Sequence, residues 1–161
     1  MAGAIKLSNN WRKKSNLAEG CARRRELEVQ STGNNLAAVR NFVAEVADSC
    51  GFDSHLIYDI KVAVGEAIAN AVEHGSPLGK ANRIKVVCDC AGDTLNIKIV
   101  DQGVFKRSVP SPEEDINYRG HGILLMLALM DKVTIDESAQ GTTVSLAKRL
   151  RSEAKEKTRT A

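Results

Sequence analysis

The most regular pattern of hydrophobic and polar positions runs from residue 36 to residue 74. Apolar residues recur there at steps of three and four, which is the spacing of one face of an α-helix. This pattern predicts two amphipathic helices, one over about Leu36–Ser49 and one that is capped by Asp53 or Ser54 and runs to about His74, and Gly51 between them suits a helix end. The stretch from Gly122 to Met130 is nearly all apolar instead, which predicts a buried helix.

Alternating apolar and polar residues, typical of strands with one solvated face, mark the rest of the folded part. The chain order is then one strand, two helices, a hairpin, a long loop, a helix and a second hairpin. This order predicts an α+β fold with helices packed on one face of a mixed, mainly antiparallel sheet. The predicted strands are Glu26–Ser31, Arg83–Cys90, Thr94–Val100, Lys132–Glu137 and Thr142–Leu150.

Length and composition fit a single folded domain. The chain has 161 residues, and a composition of 43% hydrophobic and 27% charged residues supports a packed core. No run of about 18 apolar residues exists, which argues against a transmembrane helix. The N-terminus lacks the apolar segment of a secretory signal, so a cytoplasmic location is expected.

The net charge of +3 is unevenly distributed. Lysine and arginine prevail in residues 1–25 and 148–161, whereas acidic residues prevail between them. We therefore predict a basic N-terminal arm (1–25), a folded domain (26–150) and a charged C-terminal tail (151–161). An acidic body between basic ends is not the charge distribution of a nucleic-acid-binding surface, so nucleic acid is not an expected partner. Without a transmembrane helix, a membrane is not an expected partner either.

The four cysteines form no metal-binding pattern. No C-x-x-C motif occurs, and Cys88 and Cys90, which share one face of a predicted strand, lack a second pair to complete a site. Reduced thiols are therefore the expectation for this chain.

Three clusters of residues carry candidate chemistry, and the first lies on the second predicted helix. The i, i+4 spacing places Glu66 and Asn70 side by side, on the face opposite to the apolar stripe of that helix. Oxygen atoms of this kind are the ligands that Mg²⁺ prefers, with water and phosphate completing its shell. Taken alone, such residues on a helix surface are more often simply solvated.

The other two clusters flank the long loop. Asp101-Gln102-Gly103 follows a predicted strand, where a carboxylate accepts a hydrogen bond from an exocyclic amine and a glycine lets a flat ring approach. Arg119-Gly120-His121-Gly122 opens the apolar helix, where backbone amides and the helix dipole favour a phosphate. An ordinary turn and a flexible linker are the simpler alternatives for these two clusters.

In this order and spacing, the clusters resemble the nucleotide-binding motifs of the GHKL superfamily of ATPases and kinases. The matching motifs are Glu66…Asn70, Asp101-x-Gly103, Arg119-Gly-x-Gly122 and Gly141-Thr142-Thr143. Within this superfamily the chain is most similar to the small bacterial anti-sigma-factor serine kinases, over residues 26–150. The resemblance implies the Bergerat α/β sandwich and the binding of ATP with Mg²⁺.

The resemblance also implies a role for each matching residue. Glu66 matches the general base, Asn70 matches the Mg²⁺ ligand, and Arg40 matches an arginine near the phosphates and the partner interface. The residues implied to hold the nucleotide are Asp101, Gly103 and Thr142 or Thr143 at the adenine, and Arg119, Gly120, His121 and Gly122 at the phosphates. One departure is Phe105, where many members of the family have a glycine, and it affects the geometry expected for the segment that covers the phosphates.

The activity implied by the resemblance is phosphoryl transfer from ATP to a serine or threonine of an anti-anti-sigma protein of the STAS fold. The same family also sequesters a sigma factor and so regulates transcription by partner switching. A homodimer, common in the family, is left open by the sequence.

Three alternatives remain beside this interpretation. The first is a nucleotide-gated binding module that grips its partner without meaningful catalysis, against which the presence of Glu66 argues. The second is a related switch kinase that acts on a scaffold protein rather than on a sigma-factor regulator. The third, a detached histidine-kinase catalytic domain, is disfavoured because no dimerising helix with an acceptor histidine precedes the domain in this sequence.

Overall fold

The computed structural model describes residues 6–8, 23–74, 81–103 and 121–150. Its strands are β1 (Lys6–Ser8), β2 (Arg23–Gln30), β3 (Arg83–Ala91), β4 (Thr94–Asp101), β5 (Lys132–Ser138) and β6 (Gly141–Arg149). Its helices are α1 (Leu36–Ser49), α2 (Ser54–His74) and α3 (His121–Leu129), with a short 3₁₀ turn at Gly33–Asn35. The predicted bounds of the first two helices are confirmed. The short strand β1, which lies within the predicted N-terminal arm, was not expected, and the division into arm, domain and tail stays a prediction.

The six described strands form one sheet in the order β1-β2-β3-β4-β6-β5. Each neighbouring pair is antiparallel, so the described sheet contains no parallel pair. Helices packed against an antiparallel sheet confirm the predicted α+β class. Both predicted hairpins are present, and Gly92 in the first turn adopts a φ of +60°, a conformation that glycine allows.

The hydrophobic core lies between one face of this sheet and the helices. Alternate strand residues point towards the helices, which is the period of a pleated strand. In α2 the buried stripe recurs at helical spacing and includes Ile60, Val64, Ile68 and Ala71. The inward strand residues that are buried include Leu27, Val29, Ile84, Val86, Leu95, Ile97, Ile99, Val144 and Leu146.

Local hydrogen bonds fix the junction of α1 and α2. Gly51 ends α1 with a φ of +89°, as its position predicts. Asp53 caps α2, because the backbone N–H of Leu56 donates to its Oδ1 at 2.9 Å. The two helices are thereby held as consecutive, packed elements above the sheet.

Cys50 and Cys90 form a disulfide with a Cα–Cα distance of 6.4 Å, so the expectation of reduced thiols is wrong for this pair. Cys50 directly follows α1 and Cys90 lies near the end of β3, and the two segments meet only when α1 packs on the sheet. Because the two cysteines are 40 residues apart, no local sequence pattern indicates that they meet. Cys88 is buried and free, and its burial raises the pKa of the thiol to about 12.

The prediction that α3 is buried is wrong for most of its length. Met126 is fully buried and Met130, just after the helix, is 6% exposed, but Leu124 is 62% and Leu127 53% exposed. Because α3 is apolar on every side, its pattern does not indicate which face packs on α2. In the part of the chain that the structure describes, no helix is long and apolar enough to cross a membrane.

Candidate functional site

The carboxylate of Asp101 lies at the end of β4, on the side of the sheet that the helices cover, and only 5% of the residue is exposed. Its Oδ1 accepts hydrogen bonds from the backbone N–H groups of Gly103 at 2.9 Å and Thr142 at 3.3 Å. Burial raises the pKa of this carboxyl, although both backbone hydrogen bonds act in the opposite direction. Both bonds end on Oδ1, and no described residue donates a hydrogen bond to Oδ2, so this oxygen is placed to accept one from a ligand.

Gly141 makes this arrangement sterically accessible. A Cβ atom at this position would lie 2.0 Å from the carbonyl oxygen of Asp101, and the φ of +143° is itself one that side chains rarely adopt. The start of β6 therefore approaches the end of β4 more closely than any other residue type would allow. The sequence motif contained this glycine, but its contact with Asp101 was not predicted.

The structure distinguishes between the two threonines that follow Gly141. Thr142 is 3% exposed and donates its backbone N–H to Asp101, whereas Thr143 pairs with Val100 on the opposite face of the sheet. The hydroxyl of Thr142 is buried and has no hydrogen-bond partner among the residues that the structure describes. A buried polar group without a partner is unfavourable, so it is a suitable contact for a ligand that donates or accepts a hydrogen bond there.

Glu66 and Asn70 lie together on the face of α2 that meets the first turn of α3. A Cβ atom on Gly122 would lie 2.8 Å from Oε2 of Glu66 and 3.8 Å from Nδ2 of Asn70. Both side chains are half-buried rather than freely solvated, because α3 covers part of this face. The structure thus brings the predicted base and the predicted Mg²⁺ ligand to the start of the helix predicted to bind phosphate.

Arg40 lies on the other side of α2. Its side chain is exposed on α1, and its Cδ lies 3.4 Å from the position that a Cβ on Gly65 would occupy. With Asn41, Tyr58 and Lys61 it lines a cavity of about 330 Å³ between α1 and α2. Arg40 therefore contacts α2 one residue before Glu66 but faces a different groove, and its predicted role near the phosphates stays a prediction.

The remaining predicted residues are placed unevenly. His121 is the exposed first residue of α3, and Gly103 is buried beside Asp101. Arg119, Gly120 and Phe105 lie outside the described residues. Among the residues that are described, no group of three or more His, Cys, Asp or Glu is arranged to hold a metal ion.

Lys148 is a buried charged residue whose burial was not predicted from the sequence. It is 4% exposed, although lysine is almost never buried without a partner. The alternation of β6 contained the signal, since Thr142, Val144, Leu146 and Lys148 all fall on the inward face. A lysine on an apolar face calls for a specific partner, and the structure supplies one at the end of α3.

An antiparallel sheet under three helices, with Glu66 and Asn70 of α2 at the start of α3 and Asp101 of β4 bonded to the start of β6, is the architecture of the GHKL class of ATP-binding domains. A sequence model described as "Histidine kinase-like ATPase domain" matches residues 29–148. The match covers more than half of the chain, so the protein belongs to the histidine kinase-like ATPase domain family. The resemblance that the sequence motifs indicated is thereby confirmed.

Curated relatives place the chain more narrowly within this family. It is 31% identical over 139 residues to the protein named serine-protein kinase RsbW of Bacillus licheniformis, which covers 80% of this chain and 86% of the relative. It is 29% identical over 139 residues to the RsbW of Bacillus subtilis (strain 168), and this match also covers 80% of this chain and 86% of the relative. The chain is thus similar to serine-protein kinases over most of its own length and most of theirs.

A solved structure shows the same fold. It is described as the RsbU and RsbW domains of Rv1364c from Mycobacterium tuberculosis, and it superposes with a TM-score of 0.61 at 26% identity. The superposition covers 79% of this chain and 32% of the other, so this chain spans about a third of that protein.

Proposed function

We propose that this protein is an ATP-dependent serine/threonine protein kinase that also acts as an anti-sigma factor. The observation that carries the proposal is the contact between Glu66 and Gly122, because it sets a carboxylate against the first turn of the helix predicted to bind phosphate. The relatives named as serine-protein kinases support the same reaction type.

The residues around Asp101 fit an adenine nucleotide. Oδ2 of Asp101, to which no described residue donates a hydrogen bond, suits the exocyclic amine. A ring nitrogen or a bound water would give the buried hydroxyl of Thr142 the partner that it lacks among the described residues. A side chain at Gly141 would collide with the backbone carbonyl of Asp101, so glycine is what lets β6 begin beside this residue. These features support ATP as the phosphoryl donor.

Asn70 would hold Mg²⁺ through its amide oxygen, together with water and phosphate oxygens. When bound, Mg²⁺ would neutralise charge on the phosphates. The half-buried side chain of Asn70, beside Glu66, is suited to a metal ion that protein and nucleotide hold together. The backbone amides of the first turn of α3 would face the phosphates, where the helix dipole favours negative charge.

Glu66 would accept the proton of the attacking serine or threonine hydroxyl. The hydroxyl oxygen forms a bond to the γ-phosphorus, the bond from that phosphorus to the β–γ bridging oxygen breaks, and ADP leaves. A loose transition state of this kind requires positioning and charge stabilisation more than a strong base. A carboxylate at this place is therefore sufficient for the chemistry.

The protein substrate in this proposal is a STAS-type anti-anti-sigma protein, and the second partner is a sigma factor held in the cytoplasm. The described surface offers two features that support protein partners. One is the cavity lined by Arg40 and Lys61, and the other is the exposed apolar side of α3. A homodimer of this chain is part of the same proposal.

A nucleotide-gated binding module with little catalysis is the second candidate. Leu124 and Leu127 favour it, because these exposed apolar side chains lie on α3 within about one and a half turns of Gly122. Nucleotide binding at Gly122 would then be coupled to partner binding through the same short helix.

The test uses the purified full chain, γ-³²P-labelled ATP with Mg²⁺, and lysate of the source organism. We expect a small labelled protein with the wild type and with Glu73→Gln, an exposed glutamate of the same helix, and none with Glu66→Gln. Absence of any labelled protein, together with ATP binding that Asp101→Ala abolishes, would overturn the kinase and leave the binding module.

A further inference from the structure

Lys148 joins three elements of the fold inside the protein. Its Nζ donates a hydrogen bond to the backbone carbonyl of Leu129, the last residue of α3, at 2.5 Å. Oδ2 of Asp59, on α2, lies 4.0 Å from the same Nζ, and only 16% of the Asp59 side chain is exposed. A buried ammonium group is tolerated because it has these two partners, and a cation at a helix C-terminus is favoured by the helix dipole.

Two further hydrogen bonds hold the end of α3 to the same part of β6. The backbone N–H of Asp131 donates to the carbonyl of Ala147 at 2.9 Å, and the N–H of Arg149 donates to Oδ2 of Asp131 at 2.7 Å. The residues on both sides of Lys148 therefore contact the turn that follows α3. The carboxyl end of α3 is the fixed end of this helix.

The amino end of α3 lies at Glu66, so the two helices run in opposite directions. Seven positions separate Gly122 from Leu129 along α3, and seven separate Asp59 from Glu66 along α2. Each interval is about 10.5 Å at the rise of an α-helix. The contacts of Lys148 therefore lie at the same distance from the contact at Glu66 along α3 and along α2. The position of the Lys148 contacts thus sets where the first turn of α3 meets Glu66.

We propose that Lys148 is a positioning residue for the phosphate end of the nucleotide. By holding Leu129 and Asp59 together, it fixes how far α3 extends along α2, and so places the first turn of α3 against Glu66. This inference rests on the proposed function, since it assigns Lys148 to the phosphate site of that kinase. Lys148 does not contact the nucleotide in this proposal.

The adenine end should be independent of this contact. Thr142, which bonds Asp101, is six residues from Lys148 along β6, a distance of about 20 Å in an extended strand. Loss of the lysine would shift α3 without altering the hydrogen bonds of Asp101. A purely structural role, in contrast, would affect both ends of the nucleotide site equally.

The experiment measures the affinities of the full chain for Mg-ATP and for adenosine by calorimetry. Lys148→Met should weaken Mg-ATP binding about tenfold, within the usual range of coupling between sites, and leave adenosine binding within about twofold. Lys148→Arg, which keeps the charge, should restore most of the loss. Lys98→Met, a change of an exposed lysine on β4, should alter neither affinity.

An equal loss of both affinities, or no loss of either, overturns the positioning role. If circular dichroism shows that Lys148→Met does not fold, Asp59→Asn decides. This variant keeps the lysine and should also lower the ratio of the Mg-ATP affinity to the adenosine affinity. A wild type that binds Mg-ATP no better than adenosine overturns the phosphate site and this inference together. If the variants lower this ratio of affinities but the wild type labels no protein with γ-³²P-labelled ATP, only the kinase chemistry is overturned.

Discussion

Oε2 of Glu66 lies 2.8 Å from the place that a Cβ atom on Gly122 would occupy. Gly122→Ala should therefore displace the carboxylate, while alanine in place of glycine favours the helix by up to about 1 kcal/mol. We expect phosphoryl transfer to fall about 10- to 100-fold, because small displacements of a positioned group have effects of this size. The midpoint of thermal unfolding should be unchanged or higher.

The matched control is Gly33→Ala, since no heavy atom lies within 4 Å of a Cβ at that position. Transfer should be unchanged in this variant. A Gly122→Ala protein that transfers phosphate at the wild-type rate would show that the position of Glu66 is not critical.

Gly141→Ala should destabilise the fold. The new methyl group would meet the carbonyl oxygen of Asp101 at 2.0 Å, and the positive φ adds backbone strain. Together these effects should lower the free energy of unfolding by about 3 kcal/mol or more, measured by urea denaturation. Gly92→Ala has a positive φ but open space, so it should cost only about 1 kcal/mol. Equal effects of the two changes would contradict the close approach of β6 to β4.

The buried carboxyl of Asp101 predicts a dependence of stability on pH. Because burial raises the pKa of Asp101 above its ordinary value of 3.8, this group stabilises the native state fully only below that value. The contribution is lost as the pH rises through the raised pKa. Asp101→Asn does not ionise, so its free energy of unfolding relative to the wild type should increase with pH above 3.8 and then level off. A difference that stays flat or decreases would contradict the burial of this carboxylate.

The disulfide between Cys50 and Cys90 predicts the number of reactive thiols. Of the three cysteines that the structure describes, only Cys88 should react with an alkylating reagent in denaturant without reductant, and all three should react after reduction. Cys50→Ser should make Cys90 reactive without reductant. Reduction should lower the free energy of unfolding by about 4 kcal/mol on the chain-entropy estimate for a loop of this length. Alkylation of Cys50 and Cys90 before reduction would show that the bond is absent in the purified protein.

How far the sequence predicts the structure differs from element to element. The bounds of α1 and α2 and both hairpins follow from local periodicity and turn residues, which act within a few positions of the chain. The burial of α3 does not follow, because an apolar helix has no polar face to mark its outer side. A helix of this kind is positioned by tertiary contacts alone.

The candidate site shows the same limit. The motifs indicate Asp101, Glu66 and Asn70, because these residues can be recognised by their order and spacing along the chain. The choice of Thr142 over Thr143 depends on the register of β6 with β4. The contacts of Lys148 and the pairing of Cys50 depend on how distant segments pack, which no local pattern records.

The proposed role of Glu66 as proton acceptor during phosphoryl transfer is tested by a single-turnover rate. The rate would be measured with saturating Mg-ATP and the substrate identified by labelling, for the wild type, Glu66→Gln and Glu73→Gln. Glu66→Gln should slow transfer by at least about 100-fold, the contribution of a positioned general base, while its affinity for ATP is retained. Glu73→Gln should transfer at the wild-type rate. Transfer by Glu66→Gln within about twofold of the wild type would show that Glu66 is not the general base.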